Sequence, residues 1–143
     1  FSNPVELTVK YPDKEEDIAA VKLLKTKEPR RGYAWEEILE KYPNSIYYKF
    51  ARYIRSYSDP LELKKIISDY PGFEMNDFIQ LGIIKRYLLK NDVENAKKEI
   101  DIFFKNYPKS VCKNKVKQLL DIITNPNNAN RVRREPSWDS YYF

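Results

Sequence analysis

The stretch from Phe78 to Pro108 constrains the fold most, because it carries two apolar patterns with helical spacing. In the second pattern, apolar residues recur at steps of three and four, which places them on one face of a helix. An Asn91-Asp92 break separates the two patterns, and Asp92 is a suitable N-cap. The stretch therefore predicts a helical hairpin. The second helix carries Val93, Ala96, Ile100, Phe103 and Tyr107 on its apolar face.

The first helix of this hairpin is apolar on two neighbouring stripes. So wide an apolar surface predicts a helix buried between two others. Pro108 cannot continue a helix interior, and Ser110 is a natural cap for the next helix. The two stripes consist of Phe78, Leu81, Ile84 and Leu88, and of Ile79, Ile83 and Tyr87.

Tyr-Pro pairs punctuate the chain at Tyr42, Tyr70 and Tyr107. Their spacings lie on either side of about 34 residues, a period of helical-hairpin repeats. Three hairpins therefore fit the chain, followed by a capping helix at 110–124 with its apolar face inward. The hairpins span residues 13–43, 44–71 and 76–108. Apolar residues predicted to face inward outside the central hairpin include Ile18, Ile46, Tyr57 and Val111.

The helix, turn, helix and closing proline resemble a tetratricopeptide repeat (TPR). With Pro108 in that repeat's closing position, Ala96 matches its small residue and Tyr87 its first-helix aromatic residue. Ile84 and Phe103 depart from the family, which has small residues there. The resemblance implies an all-α, right-handed, TPR-like array of antiparallel hairpins over 13–124, with about seven helices. The Tyr-Pro-Asn-Ser turn at 42–45 is similar to turns in divergent repeats of bacterial cell-envelope proteins.

Both flanks differ from the helical region. Alternating Val5, Leu7 and Val9 predict a short strand within residues 1–12. It is either an extended arm that packs on the helices, which we favour, or a strand that pairs with a preceding domain. Residues 125–143 begin as a polar linker and end in basic and aromatic residues. We expect this tail to dock on a groove of its own chain, on a second copy or on a neighbouring molecule. Its distinctive residues are Arg131, Arg133, Arg134, Trp138, Tyr141, Tyr142 and Phe143.

Composition favours a globular chain without a concentrated basic patch. The 26 Lys and Arg residues exceed the 21 Asp and Glu residues by only five, and they are spread along the chain. The pairs Lys64-Lys65 and Lys97-Lys98 are interpreted as solvated helix faces. No apolar run approaches the roughly 20 residues that cross a bilayer. The single cysteine, Cys112, is predicted to be a buried thiol.

Catalytic and cofactor chemistry finds little support in the sequence. The chain has no histidine, which removes Ser-His and Cys-His nucleophiles and most zinc sites. It has no glycine-rich phosphate loop. The acidic pairs Glu15-Glu16 and Glu36-Glu37 are interpreted as exposed or helix-start carboxylates. We therefore expect no enzymatic activity, no cofactor and no metal.

The predicted function is a non-catalytic scaffold that binds a peptide or protein on a concave helical surface. The tyrosines of the third helix could instead serve only for packing between hairpins. The candidate contacts are Tyr47, Lys49, Arg52, Tyr53 and Arg55, with Trp138, Tyr141, Tyr142 and Phe143 of the tail.

Two alternative functions remain open from the sequence. One is an accessory helical domain of a larger secreted or envelope enzyme. The other is a weak nucleic-acid binder that uses basic helix faces and the tail. The chain begins at Phe1, which removal of a signal peptide or an artificial boundary would explain. We favour a periplasmic or secreted location over a cytoplasmic one.

Overall fold

In a computed structural model of the chain, residues 12–27 and 32–125 are described, and these residues form seven α-helices and no strand. The described part is therefore all-α, as predicted. The predicted arm, apart from Pro12, and the tail beyond Asn125 lie outside the described residues. The helices are α1 (Glu15–Thr26), α2 (Tyr33–Lys41), α3 (Tyr48–Ser56), α4 (Pro60–Asp69), α5 (Asn76–Leu89), α6 (Val93–Asn106) and α7 (Lys113–Thr124).

The described residues fall into two compact units that divide between Arg55 and Ser56, at the end of α3. In the N-terminal unit, α1 packs against α2, and the core forms around Ala20, Ile38 and Ala51. The start of α1 also holds the turn at 42–45. Glu16 accepts hydrogen bonds from the backbone and side chain of Asn44, and buried Asp17 accepts one from the Ile46 N–H at 2.7 Å.

In the C-terminal unit, α5 packs against both α4 and α6, and α7 packs against α6. Eight of the fourteen residues of α5 are buried, which confirms the predicted burial on two sides. Apolar side chains of α5, α6 and α7 form the core of this unit. Its members are Leu81, Ile84, Leu88, Ala96, Ile100, Phe103, Cys112, Val116 and Leu119.

Aspartate side chains cap the starts of two helices, one of them the predicted cap Asp92. The Asp59 side chain accepts a hydrogen bond from the Leu61 N–H at 2.9 Å, with Pro60 as the first residue of α4. Asp92 accepts one from the Asn95 N–H at 3.1 Å at the start of α6. Each cap satisfies a backbone donor that the helix itself leaves without a partner.

The three Tyr-Pro pairs adopt one backbone conformation. Tyr42, Tyr70 and Tyr107 each end a helix with φ between −130° and −127° and ψ between 53° and 69°. In each case the next helix begins six residues after the tyrosine. The carbonyl of each tyrosine also accepts a hydrogen bond from the N–H three residues later, at 2.9–3.1 Å. The same local sequence thus builds the same turn three times.

Several residues predicted to face inward are exposed, and the Tyr-Pro turns explain two of them. Ile46 and Val111 each lie four residues after the tyrosine, before the next helix begins, and are 51% and 83% exposed. Helical periodicity does not apply at these positions. Phe78 is also exposed, because α5 begins at Asn76 and buries the face that includes Asn76, Ile79 and Gln80. Ile18 and Tyr57 complete this set of wrong predictions.

Candidate functional site

A surface cleft of about 400 Å³ lies between two Tyr-Pro turns of the C-terminal unit. One wall comes from the α4–α5 turn and the first residues of α5, and the other from the end of α6 and the α6–α7 turn. This volume falls within the range of sites that bind small ligands or side chains. The lining residues are Pro71, Phe73, Glu74, Asn76, Asp77, Asn106, Tyr107, Pro108, Lys109 and Ser110.

Hydrogen bonds fix the two walls to each other. The Ser110 hydroxyl donates to Asp77 Oδ2 at 2.5 Å, and the same hydroxyl oxygen accepts from the Cys112 N–H at 2.9 Å. The other carboxylate oxygen of Asp77 accepts from the Phe78 N–H at 2.8 Å. These hydrogen bonds link the start of α5 to the turn that precedes α7.

Asn76 precedes Asp77 in the chain and is only 4% exposed. Its amide nitrogen donates to two carbonyl oxygens of the α4–α5 turn, Tyr70 O at 2.8 Å and Pro71 O at 3.2 Å. Its side-chain oxygen Oδ1 is buried and accepts no hydrogen bond from any described residue. Buried polar atoms nearly always have a partner, so this oxygen is an acceptor for a hydrogen-bond donor from outside the described residues.

Two ionisable groups near the cleft hold their protons more tightly than usual. Burial raises the pKa of the Tyr107 hydroxyl, and the nearby Asp77 carboxylate adds to that effect. Burial also raises the pKa of the Cys112 thiol above its ordinary value of 9.0, although a hydrogen bond with Ser110 acts in the opposite direction. Both groups are therefore protonated at neutral pH, whereas a nucleophile is activated by a lowered pKa or an adjacent base.

We expect Cys112 to react with a disulfide reagent such as dithiobis-nitrobenzoate at least about tenfold more slowly in the native chain than in urea-unfolded chain at pH 8. The thiol is 6% exposed, and its raised pKa lowers the thiolate fraction. It is the chain's only cysteine, so the signal has one source.

The same pKa shift has a consequence for stability. Because folding raises the pKa of this thiol, protonated Cys112 contributes to the stability of the folded chain. This contribution is complete below pH 9.0, the ordinary pKa, and is lost as pH rises through the pKa of the folded chain. The free energy of unfolding should therefore fall above about pH 9.

In the experiment with the disulfide reagent, equal reaction rates of Cys112 in the native and unfolded chain would contradict the buried position of the thiol.

The binding residues predicted in α3 and at Tyr47, directly before it, have mixed environments in the N-terminal unit. Tyr53 is 6% exposed, and Tyr47 packs against the core of that unit. The Lys49 ammonium lies 5.4 Å from the ring centroid of Phe50. Arg52 is half-buried, and exposed Arg55 forms an ion pair with Glu36 at 2.9 Å. A binding role for this face remains a prediction, and Tyr53 has little surface to contribute to it.

The predicted exposed acids take part in local pairs. Glu16 contacts Asn44, and Glu36 pairs with Arg55. Hydrogen bonds from Lys27 and Lys41 lower the pKa of Glu37 below its ordinary value. These carboxylates stabilise turns and helix contacts within the N-terminal unit.

Lys64 was predicted to lie on a solvated helix face, but its ammonium group contacts other side chains. Its ammonium lies 2.5 Å from the carboxylate of Glu99, whose side chain is only 6% exposed, and 5.3 Å from the ring centroid of Tyr87. The Gln80 amide donates to the same carboxylate at 2.7 Å. This network joins α4, α5 and α6. The buried position of Glu99 could have been predicted from the sequence, because this residue falls between Ala96 and Phe103 on the apolar face of α6.

Asn76 and Asp77 are site residues that were not predicted from the sequence. The available signal is a polar pair that begins three residues after Phe73, the end of the Tyr70–Phe73 turn, and opens a mostly apolar helix. The tail residues Trp138, Tyr141, Tyr142 and Phe143, which were predicted to contact a partner, lie outside the described residues.

Over residues 12–27 and 32–125, no three His, Cys, Asp or Glu side chains group as metal ligands would. None of the helices in these ranges has the length and apolarity needed to cross a membrane. No protein-family model, curated protein or solved structure gives a significant match to this chain.

Proposed function

We propose that this chain is a non-catalytic protein-interaction module, built from TPR-like helical hairpins, that binds a peptide or protein segment. The observation that carries this proposal is the cleft between the turns at Tyr70 and Tyr107. Its walls are mostly apolar, and its Asn76 Oδ1 accepts no hydrogen bond from the described residues. A concave, partly apolar surface with a few polar groups is the usual form of a binding site.

Two features support the TPR-like part of the proposal. The turns at Tyr42, Tyr70 and Tyr107 share one backbone conformation, as repeated units would. In the C-terminal unit, each helix from α4 to α7 packs against the next in the chain, which is how repeat arrays bury their cores. The right-handed stacking of the whole array is part of the proposal.

The charge distribution supports a protein partner over a nucleic acid. Phosphate binding requires cations that are available to the backbone of the nucleic acid. Several basic side chains of the described residues instead form ion pairs with carboxylates of the chain itself. These pairs are Lys27 and Lys41 with Glu37, Arg55 with Glu36, Lys64 with Glu99, Lys65 with Glu62, and Lys98 with Glu94.

The chemistry of the cleft supports a binding role over catalysis. Of its two carboxylates, Glu74 is exposed, and Asp77 accepts a hydrogen bond on each oxygen, which suits a structural role. Tyr107 and the neighbouring Cys112 have raised pKa values. Asp77 is thus engaged in hydrogen bonds, and the Tyr107 hydroxyl and the Cys112 thiol are protonated at neutral pH.

Selection of a phage-displayed random peptide library on the purified full chain tests the proposal. We expect an enriched peptide to bind with a saturable isotherm and a dissociation constant below about 100 μM, typical of a weak, transient contact. Lys109→Trp places a bulky side chain at an exposed position of the cleft lining and should weaken that peptide at least about tenfold. Lys117→Trp, at an exposed position of α7, is the matched control and should leave binding unchanged.

Two other outcomes are informative. If binding survives Lys109→Trp but is lost in Arg55→Glu, the α3 face predicted from the sequence is the binding surface, and the function stands at that site. If no peptide binds the folded chain saturably, the proposed function is wrong.

A further inference from the structure

We infer that the cleft between the Tyr70 and Tyr107 turns binds a basic side chain, lysine or arginine, of the partner, with Asn76 Oδ1 as a hydrogen-bond acceptor for its cationic head. This inference rests on the proposed protein-binding function and specifies the ligand chemistry of the site. It follows from the orientation of one buried amide, from the charges of the lining and from the shape of the apolar walls.

The Asn76 amide has a fixed orientation. Its nitrogen donates to both Tyr70 O and Pro71 O, so a flipped amide would set its oxygen against two carbonyl oxygens. The atom without a partner among the described residues is therefore the side-chain oxygen of Asn76, which is an acceptor, so its partner must be a hydrogen-bond donor. An unpaired buried acceptor is unfavourable, which gives a ligand donor an energetic advantage at this position.

The charges of the lining favour a cation over a neutral donor. Glu74 and Asp77 contribute two carboxylates, and Lys109 contributes the single ammonium. The lining itself thus carries one net negative charge on a chain with a net charge of +5, and the Lys113 ammonium, which donates to Pro108 O at 3.1 Å, lies beside it. At physiological salt, charges beyond about 8 Å are screened, so the two lining carboxylates act on a bound cation more strongly than distant charges of the chain do. Each oxygen of Asp77 accepts one hydrogen bond and has capacity for another.

The apolar walls suit the aliphatic stem of a long basic side chain. Pro71 and Pro108 lie on opposite walls, and the half-buried ring of Tyr107 lies beside Pro108. Lysine and arginine pack their methylene groups against such surfaces while their heads reach polar groups. A tyrosine ring also attracts a cation placed over its face.

Entry of the ligand requires a small local adjustment. Asn76 Oδ1 is buried, whereas Glu74 and Lys109 in the same lining are exposed. We expect these exposed side chains to change rotamer when a ligand enters, as side chains at interfaces commonly do.

The test is an NMR titration of the full chain with N-acetyl-arginine methylamide at constant ionic strength. N-acetyl-norleucine methylamide is the control, because it has a comparable stem and no charge. We expect the arginine probe to bind at about millimolar concentration and to shift the side-chain amide signals of Asn76 and the backbone amide of Ser110. The norleucine probe should produce shifts at least about fivefold smaller at the same concentration.

Four variants sharpen the test. Asn76→Ala removes the acceptor and should weaken the arginine probe at least about tenfold. Because Asn76 also holds the α4–α5 turn, two exposed positions provide an independent measurement. Glu74→Gln should weaken the probe by about two- to fourfold, and Lys109→Gln should strengthen it by a similar factor. Lys117→Gln on α7 is the matched charge control and should change nothing.

Equal shifts from the arginine and norleucine probes, or shifts that spread over the surface without saturation, would overturn the inference. So would saturable binding that is unchanged in Asn76→Ala and Glu74→Gln. If peptides from the display selection bind at the α3 face while the arginine probe fails, this inference is wrong and the proposed function stands. If no peptide binds, the proposed function fails on its own test.

Discussion

Phe103→Ala is expected to lower the free energy of unfolding of the C-terminal unit by about 3–5 kcal/mol. The Phe103 side chain is fully buried among the core residues of α5, α6 and α7. Its ring centroid lies 5.8 Å from that of Phe104 and 5.6 Å from that of Tyr107. The substitution removes the ring's burial and leaves a cavity that helix packing fills only in part.

The result is informative because the TPR resemblance places a small residue at this position. If the helices of the C-terminal unit approached each other as closely as in that family, alanine would be tolerated. The core instead surrounds a phenylalanine ring, so the residue typical of the family should be strongly destabilising here. Ile102→Ala is the matched control, because Ile102 is the neighbouring residue on α6 and is 40% exposed.

Urea unfolding followed by circular dichroism at 222 nm measures both variants. We expect the midpoint for Phe103→Ala to fall steeply, with a melting temperature lower by more than about 10 °C. Ile102→Ala should cost less than about 1 kcal/mol. Similar losses for the two variants would mean that the core of this unit does not depend on the Phe103 ring.

The features predicted correctly from the sequence depend on residues close together in the chain. Asp92 caps α6 because its carboxylate reaches a backbone N–H three residues later. The Tyr-Pro turns end helices through the fixed backbone of proline, which acts on its immediate neighbours. Helical periodicity also identified α5 as a helix buried on two sides.

The features that were missed depend on tertiary contacts or on where a helix begins. Val111 was assigned to a helix that starts two residues later, so its predicted inward direction was wrong. The cleft requires Asp77 and Ser110, which are 33 residues apart, to meet across two helices. That Asn76 Oδ1 accepts no hydrogen bond from the described residues can be recognised only from the tertiary structure, which fixes both hydrogen bonds of the amide nitrogen.

Lys64→Met should destabilise the C-terminal unit by about 2 kcal/mol, although the substitution replaces a lysine with an apolar residue of similar length. It leaves the Glu99 carboxylate, only 6% exposed, with the Gln80 amide as its remaining side-chain donor among the described residues. Removing one partner of a fully buried ion pair costs about 3–5 kcal/mol, because the other charge stays buried without compensation. Lys64 is itself 42% exposed, so water can reach this pair and the expected loss is smaller.

The double variant Lys64→Met/Glu99→Leu should recover most of the lost stability. Replacing both charges removes the uncompensated carboxylate and adds apolar contact beside Tyr87. A double-mutant cycle with Glu99→Leu then isolates the coupling between the two side chains. If the double variant is no more stable than Lys64→Met alone, the Glu99 carboxylate is not the source of the loss.

Alkaline titration gives a second readout of the same pair. Partial burial acts to lower the pKa of Lys64, but its interactions with Glu99 and Tyr87 outweigh burial and raise it above 10.5. A pKa raised on folding stabilises the folded chain fully below the unfolded value, and this contribution is lost as pH rises through the folded value. The wild-type chain should therefore lose more stability than Lys64→Met as pH rises above about 10.5, so the difference between them should narrow. A constant difference from pH 7 to pH 11 would mean that the charge of Lys64 does not stabilise the fold, and that its methylene stem provides the contact that matters.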